Sequence, residues 1–297
     1  MKSMNFFDDF RLDSEYNEQW WPYSRPLQSD LIVEQKKHLT DTHISFGDDT
    51  LKFIYTSYIA DLEDAINEKY NNLRLEDWEV AICNEVFYTT KIEGAHTTLA
   101  RTFEIHNGAD IDKDDNDESE CMVLNGFKAT KYLNLIQHKV LSKEEIRKVW
   151  EITTDGVCHN ERIKGDFWSN GAVVVGSHSG IDFKKLDECM ESFIQFAGSS
   201  LLERHQLVKA ALLHYAFEFI HPFCDGNGRV GRMLMMNHLI MNGYEKMKAI
   251  SVTKEIDKNR REYYYSFILA ENDYNDCTPF VQFILECIYN ALDSVEQ

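Results

Sequence analysis

Residues 221–232 read His-Pro-Phe-Cys-Asp-Gly-Asn-Gly-Arg-Val-Gly-Arg, and they interrupt two apolar stretches that both keep a helical period. Before the interruption, Leu207, Ala211, Leu212, Tyr215 and Phe219 form one stripe. Pro222 disfavours the α region at the residue before it, so the first helix is predicted to stop near Ile220 with His221 at its mouth. Gly226 and Gly228 permit positive φ and leave room for an anion to reach the backbone. A second helix is predicted from about Arg229 through Met233, Met236, Leu239 and Ile240 to Gly243. The Gly-Asn-Gly turn then lies at a helix N-terminus, where free N–H groups and the dipole favour phosphate.

Arg229 and Arg232 are three apart, which sets both guanidinium groups on one face of the first turn. Cations there oppose the helix dipole, a cost that a bound polyanion would outweigh. Plainer readings fit less well. Asp-Gly and Asn-Gly are common hairpin turns, but these flanks do not alternate as strands do. The stretch also resembles a calcium loop, yet His221, Phe223 and Arg232 would stand at its first, third and twelfth ligand positions. A lone histidine at a helix end is usually structural; with Asp225 and two arginines beside it, a functional reading prevails.

The stretch resembles the signature of the Fic family, His-Pro-Phe-x-Asp/Glu-Gly-Asn-Gly-Arg-x-x-Arg, at every specified position. The resemblance extends over roughly the last two thirds of the chain, including residues 263–272 and 278–284. It implies an all-α fold with one small β-hairpin flap, and transfer of AMP from ATP to a hydroxyl of a target protein with release of pyrophosphate. It further implies His221 as the general base that takes the proton of a Ser, Thr or Tyr hydroxyl. Asp225 would hold Mg²⁺; Gly226, Asn227 and Gly228 would cradle the phosphates by backbone and amide donors. Arg229 and Arg232 would grip the β and γ phosphates, where forked donors suit anionic oxygens. A lysine in place of Gly228 marks a relative that phosphorylates its target, so glycine favours nucleotidyl transfer.

Around Gly165-Asp166-Phe167-Trp168 and Ala172–Gly176 the β-branched run Val173-Val174-Val175, closed by Gly176, is the expected flap. In the family such an edge clamps the target by strand addition. Trp168 stands where arginine is common, and Ser177-His178-Ser179-Gly180 lacks the usual prolines. Tyr265 and Asn272 align with adenosine-contacting positions of similar proteins.

Upstream, Thr89-Thr90-Lys91-Ile92-Glu93-Gly94 fits the family pattern Ser/Thr-x-x-x-Glu-Gly/Asn of an inhibitory helix. Here it closes a helix predicted from about Leu75, with Trp78, Ile82, Val86 and Thr90 along one side and Gly94 as its cap. A carboxylate at Glu93 is disfavoured by the dipole by about 0.3–1 kcal/mol, a cost that a nearby cation would relieve. The resemblance supplies Arg232 as that cation: paired with Glu93 it could not hold the γ phosphate. Some relatives use this glutamate to direct water and remove AMP.

The 297 residues carry a net charge of −19, which excludes broad affinity for nucleic acid. A hydrophobic content of 43% is enough for a core, and four prolines argue against a long extended linker. No apolar run approaches the ~18 residues of a spanning helix, and the N-terminus has no apolar signal core. Seven scattered cysteines, none in a Cys-x-x-Cys pair, fit a reduced cytoplasm. Cys158-His159 has no partners at metal-ligand spacing.

Residues 1–55 read as an extension with few regular patterns packed on the core, 56–108 as the inhibitory-helix region, and 121–293 as the Fic core domain. The acidic run 110–120 reads as a solvated loop. The leading expectation is an autoinhibited, Mg²⁺-dependent protein adenylyltransferase acting on an unidentified target protein. The alternatives are a de-AMPylase, a transferase of another nucleotide, and a catalytically idle nucleotide-sensing or interaction module. A toxin half of a toxin–antitoxin pair fits less well, because the brake lies in the same chain. Self-association into a homo-oligomer is a common way to tune such enzymes.

Overall fold

The computed structural model describes residues 41–294 apart from 47–48, 75–77, 112–117, 158–173, 176–177, 180, 182 and 274. Expectations for residues 1–40, Gly165–Trp168, Val173, Gly176, Ser177, Gly180, Cys158-His159 and the middle of the acidic run lie outside the described residues. A β-hairpin, β1 (Asp41–Phe46) and β2 (Asp49–Ile54), leads into the helices. These are α1 (Ser57–Asn72), α2 (Trp78–Ile92), α3 (Leu99–His106), α4 (Ser119–Ile136) and α5 (Lys143–Thr153). After the short pair β3 (Val174–Val175) and β4 (His178–Ser179) come α6 (Leu186–Gly198), α7 (Gln206–Ile220) and α8 (Asn227–Met241). A 3₁₀ turn (Glu245–Ala249), α9 (Val252–Lys258), α10 (Arg260–Asn272) and α11 (Thr278–Asp293) complete it. The architecture is all-α, as expected, with two small hairpins among the described residues where one was expected.

Local chemistry sets the helix ends. The hydroxyls of Thr56, Thr98 and Ser251 accept from the N–H groups of Ile59, Arg101 and Lys254, and Ser142 with Glu145 forms a capping box. α2 closes on Gly94, whose φ of 93° is the left-handed cap. Gly94 N–H donates to Lys91 and Ala95 N–H to Thr90, which satisfies two end carbonyls and leaves Glu93 as the pivot between them.

α7 is apolar almost all round, and a helix of that kind belongs in the middle of a bundle. Leu207, Val208, Ala211, Leu212, Ala216, Phe217 and Ile220 are fully buried, with α6, α8 and α11 packed about it. α11 buries Phe280, Val281, Ile284 and Leu285 and packs in turn on α1, α9 and α10. α2 lies across α9, α3, α4 and the 3₁₀ turn, with its C-terminal end reaching α8.

Two local expectations are corrected. Residues 41–46 and 49–54 are regular strands, with Phe46 opposite Asp49. Ile44, Phe46, Leu51 and Phe53 point into the core while His43 and Ser45 face solvent, a period-two signal that reading for helices passed over. The end of the acidic run is also not loop. Ser119 and Glu120 open α4: Ser119 accepts from His96 N–H at 2.7 Å, and Glu120 pairs with Arg101 at 2.7 Å.

Candidate active site

The elbow between α7 and α8 is bent where Pro222 requires. α7 ends at Ile220, and His221 takes left-handed backbone angles (φ 50°, ψ 59°) while its N–H still donates to Phe217. Such angles are sparsely populated by residues other than glycine and cluster at functional sites. The His221 ring is mostly buried, and its Nδ1 stands 4.0 Å from Glu218 Oε2 on the last turn of α7.

The loop that follows is clamped from both sides. Asn227 Oδ1 accepts from Phe223 N–H at 3.0 Å, and its Nδ2 donates to Phe223 O at 2.7 Å. Phe223 is fully buried and stacks on Trp150 of α5, centroids 4.6 Å apart. Trp150 Nε1 also donates to Asp225 O at 2.8 Å. The Asn227 amide therefore braces the loop, a different task from the phosphate-cradling donor expected of it. What remains for an anion is backbone: the first donor in the α8 ladder is Val230, to Gly226 O, so the N–H groups of Asn227, Gly228 and Arg229 precede it.

Added bulk would be resisted at two glycines here. Gly226 has φ 81°, and a Cβ there would meet Thr154 Cγ2 at 2.8 Å. Gly228 faces the Glu93 carboxylate: a Cβ there would collide with Glu93 Oε1 and lie 3.1 Å from Arg232 Nη1. The Glu93 carboxylate thus lies against the first turn of α8, where an anion is stabilised by the helix N-terminus.

Both arginines are buried, Arg229 to 3% exposure and Arg232 to 1%. Arg229 Nη1 donates to Thr153 O at 3.2 Å, its Nη2 lies 3.5 Å from Asp225 Oδ2, and its Nε has no hydrogen-bond partner among the described residues. Arg232 is held by the end of α2: Nε donates to Thr89 Oγ1 at 2.9 Å, and Nη2 to Thr89 O at 3.1 Å and to Glu93 Oε1 at 2.7 Å. Burial pushes the Glu93 carboxyl up, but Arg232, Arg229 and Arg260 outweigh it and hold it below the usual carboxylate range. Burial likewise lowers the Arg232 guanidinium, and Glu93 more than restores it. Asp225 is half-exposed at the rim, with Oδ1 accepting from Gly226 N–H at 2.7 Å.

His221, Asp225, Gly226, Asn227, Gly228, Arg229 and Arg232 are thus gathered at one helix start, with Thr89 and Glu93 brought to it from α2. Tyr265 lies part-exposed on α10, and Asn272 is the last residue of that helix. Val174 and Val175 form β3, paired antiparallel with His178 and Ser179. Sequence reading missed several supporting residues. Arg260 donates to Ile92 O at the end of α2 and adds a third cation near Glu93. Tyr263 is buried beneath Arg232 and bonded to His214 at 2.8 Å. Burial first, then Arg232, holds His214 well below the usual imidazole range, so it is neutral. Only the apolar flanks of His214 and Tyr263 hinted at burial; no local signal marks Trp150.

Comparison with known proteins agrees with the signature. Residues 141–239 match the Fic/DOC family. The chain is 33% identical over 239 residues to Protein adenylyltransferase Fic of Drosophila ananassae, covering 78% of this chain and 45% of that protein. The same protein of Drosophila melanogaster is 33% identical over 78% of this chain and 46% of its own length. The chain therefore spans about half the length of the curated relatives it matches. A Fic family protein from Desulfovibrio desulfuricans G20 shares the fold, with TM-score 0.69 at 22% identity over 81% of this chain and 74% of that one. Fic-1 from C. elegans does so with TM-score 0.65 at 20% identity, over 80% and 71%.

Proposed function

Through residues 141–239 the chain belongs to the Fic/DOC family, and on that premise we propose that it is an autoinhibited protein adenylyltransferase. It moves AMP from ATP onto a Ser, Thr or Tyr hydroxyl of a target protein. The observation that carries this reading is the convergence of His221, Asp225, Arg229 and Arg232 on the N-terminus of α8.

In the proposed step the hydroxyl oxygen bonds to the α-phosphorus of ATP. The bond from that phosphorus to the oxygen bridging the β-phosphate breaks, and pyrophosphate leaves with its electrons. His221 receives the hydroxyl proton; with Nδ1 turned toward Glu218, Nε2 is the nitrogen assigned to it. Positioned proton transfer of this kind is worth about 10²–10⁴ in rate. The N–H groups of Asn227, Gly228 and Arg229 receive phosphate oxygens, and the two buried guanidinium groups offset the polyphosphate charge. The buried Nε of Arg229, without a hydrogen-bond partner among the described residues, supports an anion at this spot.

Asp225 fits Mg²⁺. No group of three or more metal-ligating side chains exists among the described residues, and Mg²⁺ is ordinarily held by one or two carboxylates together with substrate phosphates. A single half-exposed carboxylate at the rim suits that arrangement. When bound, the ion offsets charge developing on the phosphate oxygens.

Glu93 is the brake. Its pairing with Arg232 fills the place of the γ phosphate and leaves ATP without its second arginine. The edge of β3–β4 receives an extended segment of the target, and Tyr265 and Asn272 contact the adenosine. No described helix is long and apolar enough to cross a membrane. Burial pushes the Cys83 thiol up to about 11, so that thiol stays protonated near neutral pH. The test is mass spectrometry of Glu93→Gly with Mg²⁺-ATP and host lysate. A mass gain of one AMP on a polypeptide supports the reading; phosphate or no gain overturns it.

A further inference from the structure

Beside the brake lies a cavity of about 370 Å³ that the proposed reaction does not use. α2 supplies one wall through Trp78, Ile82 and Val86, and α4, α8 and the 3₁₀ turn supply the others. The lining is mostly apolar and includes Met233, Met236 and Met247, side chains that adapt to irregular partners. Its inner end reaches Thr89 and Arg232, both buried. Its mouth is marked by exposed residues: Trp78, at 56% exposure, with Asn134, Gln137, Glu245 and Lys248.

We propose that this cavity binds a small, uncharged, mostly apolar molecule with one polar group at the mouth, and that its occupant holds the inhibitory helix α2 in place. The volume is in the range of small-molecule sites, about 300–1,000 Å³, and far exceeds the voids that close packing leaves. The absence of charge follows from the partners already made inside. Arg232 is committed to Glu93 and Thr89, and Glu85 accepts from Ser251 Oγ and Thr253 N–H at 2.9 and 3.1 Å. An anion carried in would find Arg232 already paired with Glu93, and a cation would meet Glu85 held by neutral donors with its carboxyl pushed up by burial; burying an unpaired charge is costly. Glu245 and Lys248 at the rim nearly cancel, whereas the amides of Asn134 and Gln137 suit one hydroxyl, carbonyl or amine.

The coupling is a matter of shared walls. Trp78, Ile82, Val86 and Thr89 all belong to α2, so the site exists only while α2 is docked. A ligand that binds one of two states shifts the population toward it. Thr89 holds Arg232 directly, so the docked state is the one in which Arg232 is engaged by Thr89 and Glu93. The regulatory half of the inference rests on Glu93 being the brake; the binding half does not.

The probe is N-phenyl-1-naphthylamine, an uncharged dye that brightens in apolar sites, titrated onto the full chain. Saturable one-to-one binding is expected, weakened at least tenfold by Ile240→Trp, which fills the cavity from α8. If Ile240→Trp is unfolded by circular dichroism, Trp78→Ala at the mouth replaces it, with weakening of about fivefold expected. Dye at ten times its Kd should slow amide exchange of residues 78–92 about tenfold. No saturable binding, equal binding to the variants, or unchanged exchange in α2 overturns the proposal. Dye binding with exchange protection, but no AMP transfer by Glu93→Gly, supports the site and removes the reaction reading. Transfer by Glu93→Gly without dye binding does the reverse.

Discussion

Glu93 Oε1 and Arg232 Nη2, 139 residues apart in the chain, meet at 2.7 Å over the one face of Gly228 that a Cβ would block. The first turn of α8 therefore already holds a carboxylate, and any triphosphate that uses Arg232 must exchange with it. Removing one partner of a buried pair leaves the other charge uncompensated, at a cost of about 3–5 kcal/mol. Arg232 keeps its two bonds to Thr89, which lessens that cost.

Glu93→Gly is expected to lower the thermal midpoint of the apo protein and to respond more strongly to Mg²⁺-ATP than wild type does. It should raise transfer of AMP from labelled ATP at least tenfold. A variant that melts and labels like wild type would show that this pairing restrains nothing.

His221→Ala in the Glu93→Gly background should cut transfer by about 10²–10⁴ while ATP binding is retained. Calorimetric titration with ATP beside a labelling time course separates the two. Undiminished transfer would exclude His221 as the base.

Asp225→Asn keeps the shape of the rim and removes its charge. In the Glu93→Gly background the Mg²⁺ concentration for half-maximal transfer should rise at least tenfold, and chelation by EDTA should abolish transfer by the parent. A Mg²⁺ titration unchanged by Asp225→Asn would place the ion elsewhere.

Gly228→Ala drives a methyl group into Glu93 Oε1. Overpacking of this kind costs about 1–3 kcal/mol in wild type, and less once Glu93 is glycine. Denaturant unfolding of the two singles and the double variant gives the coupling. Equal cost in both backgrounds would contradict the contact.

Glu286 on α11 is pushed up to about 7 by burial, against hydrogen bonds from Tyr58 and Gln282. Its value in the unfolded chain is about 4.3, so between the two the folded state binds the extra proton. Its contribution is fully present below about pH 4.3 and is lost as pH rises through about 7. Wild type should therefore lose stability relative to Glu286→Gln between pH 5 and 7.5 in denaturant unfolding. Parallel pH curves for the two proteins would refute the raised value.

The features legible in the chain are those that act over a few residues. Pro222 stops α7 at Ile220, Gly94 caps α2, and the helical period of 207–220 marks a helix with an apolar stripe, because each depends on local backbone sterics or on which side chains share a face. The alternation across 41–54 was equally local and was overlooked beside the helical patterns. The signature at 221–232 also named the arginines and the carboxylate, since a helix start constrains its own first turn.

The rest depended on which surfaces met. Trp150 lies 73 residues before Phe223 in the chain, yet it stacks on that ring and holds the elbow's backbone; nothing near Trp150 in sequence records this. Asn227 had the right chemistry to hold phosphate, and only the folded loop turned its amide inward to Phe223. Arg260 joined the cluster because α10 packs its N-terminus against the end of α2. Local dihedral preferences write themselves into a sequence, whereas burial, desolvation and ion pairing are properties of the packed assembly. The charge state and partners of Glu93 and Arg232 were therefore decided by tertiary structure.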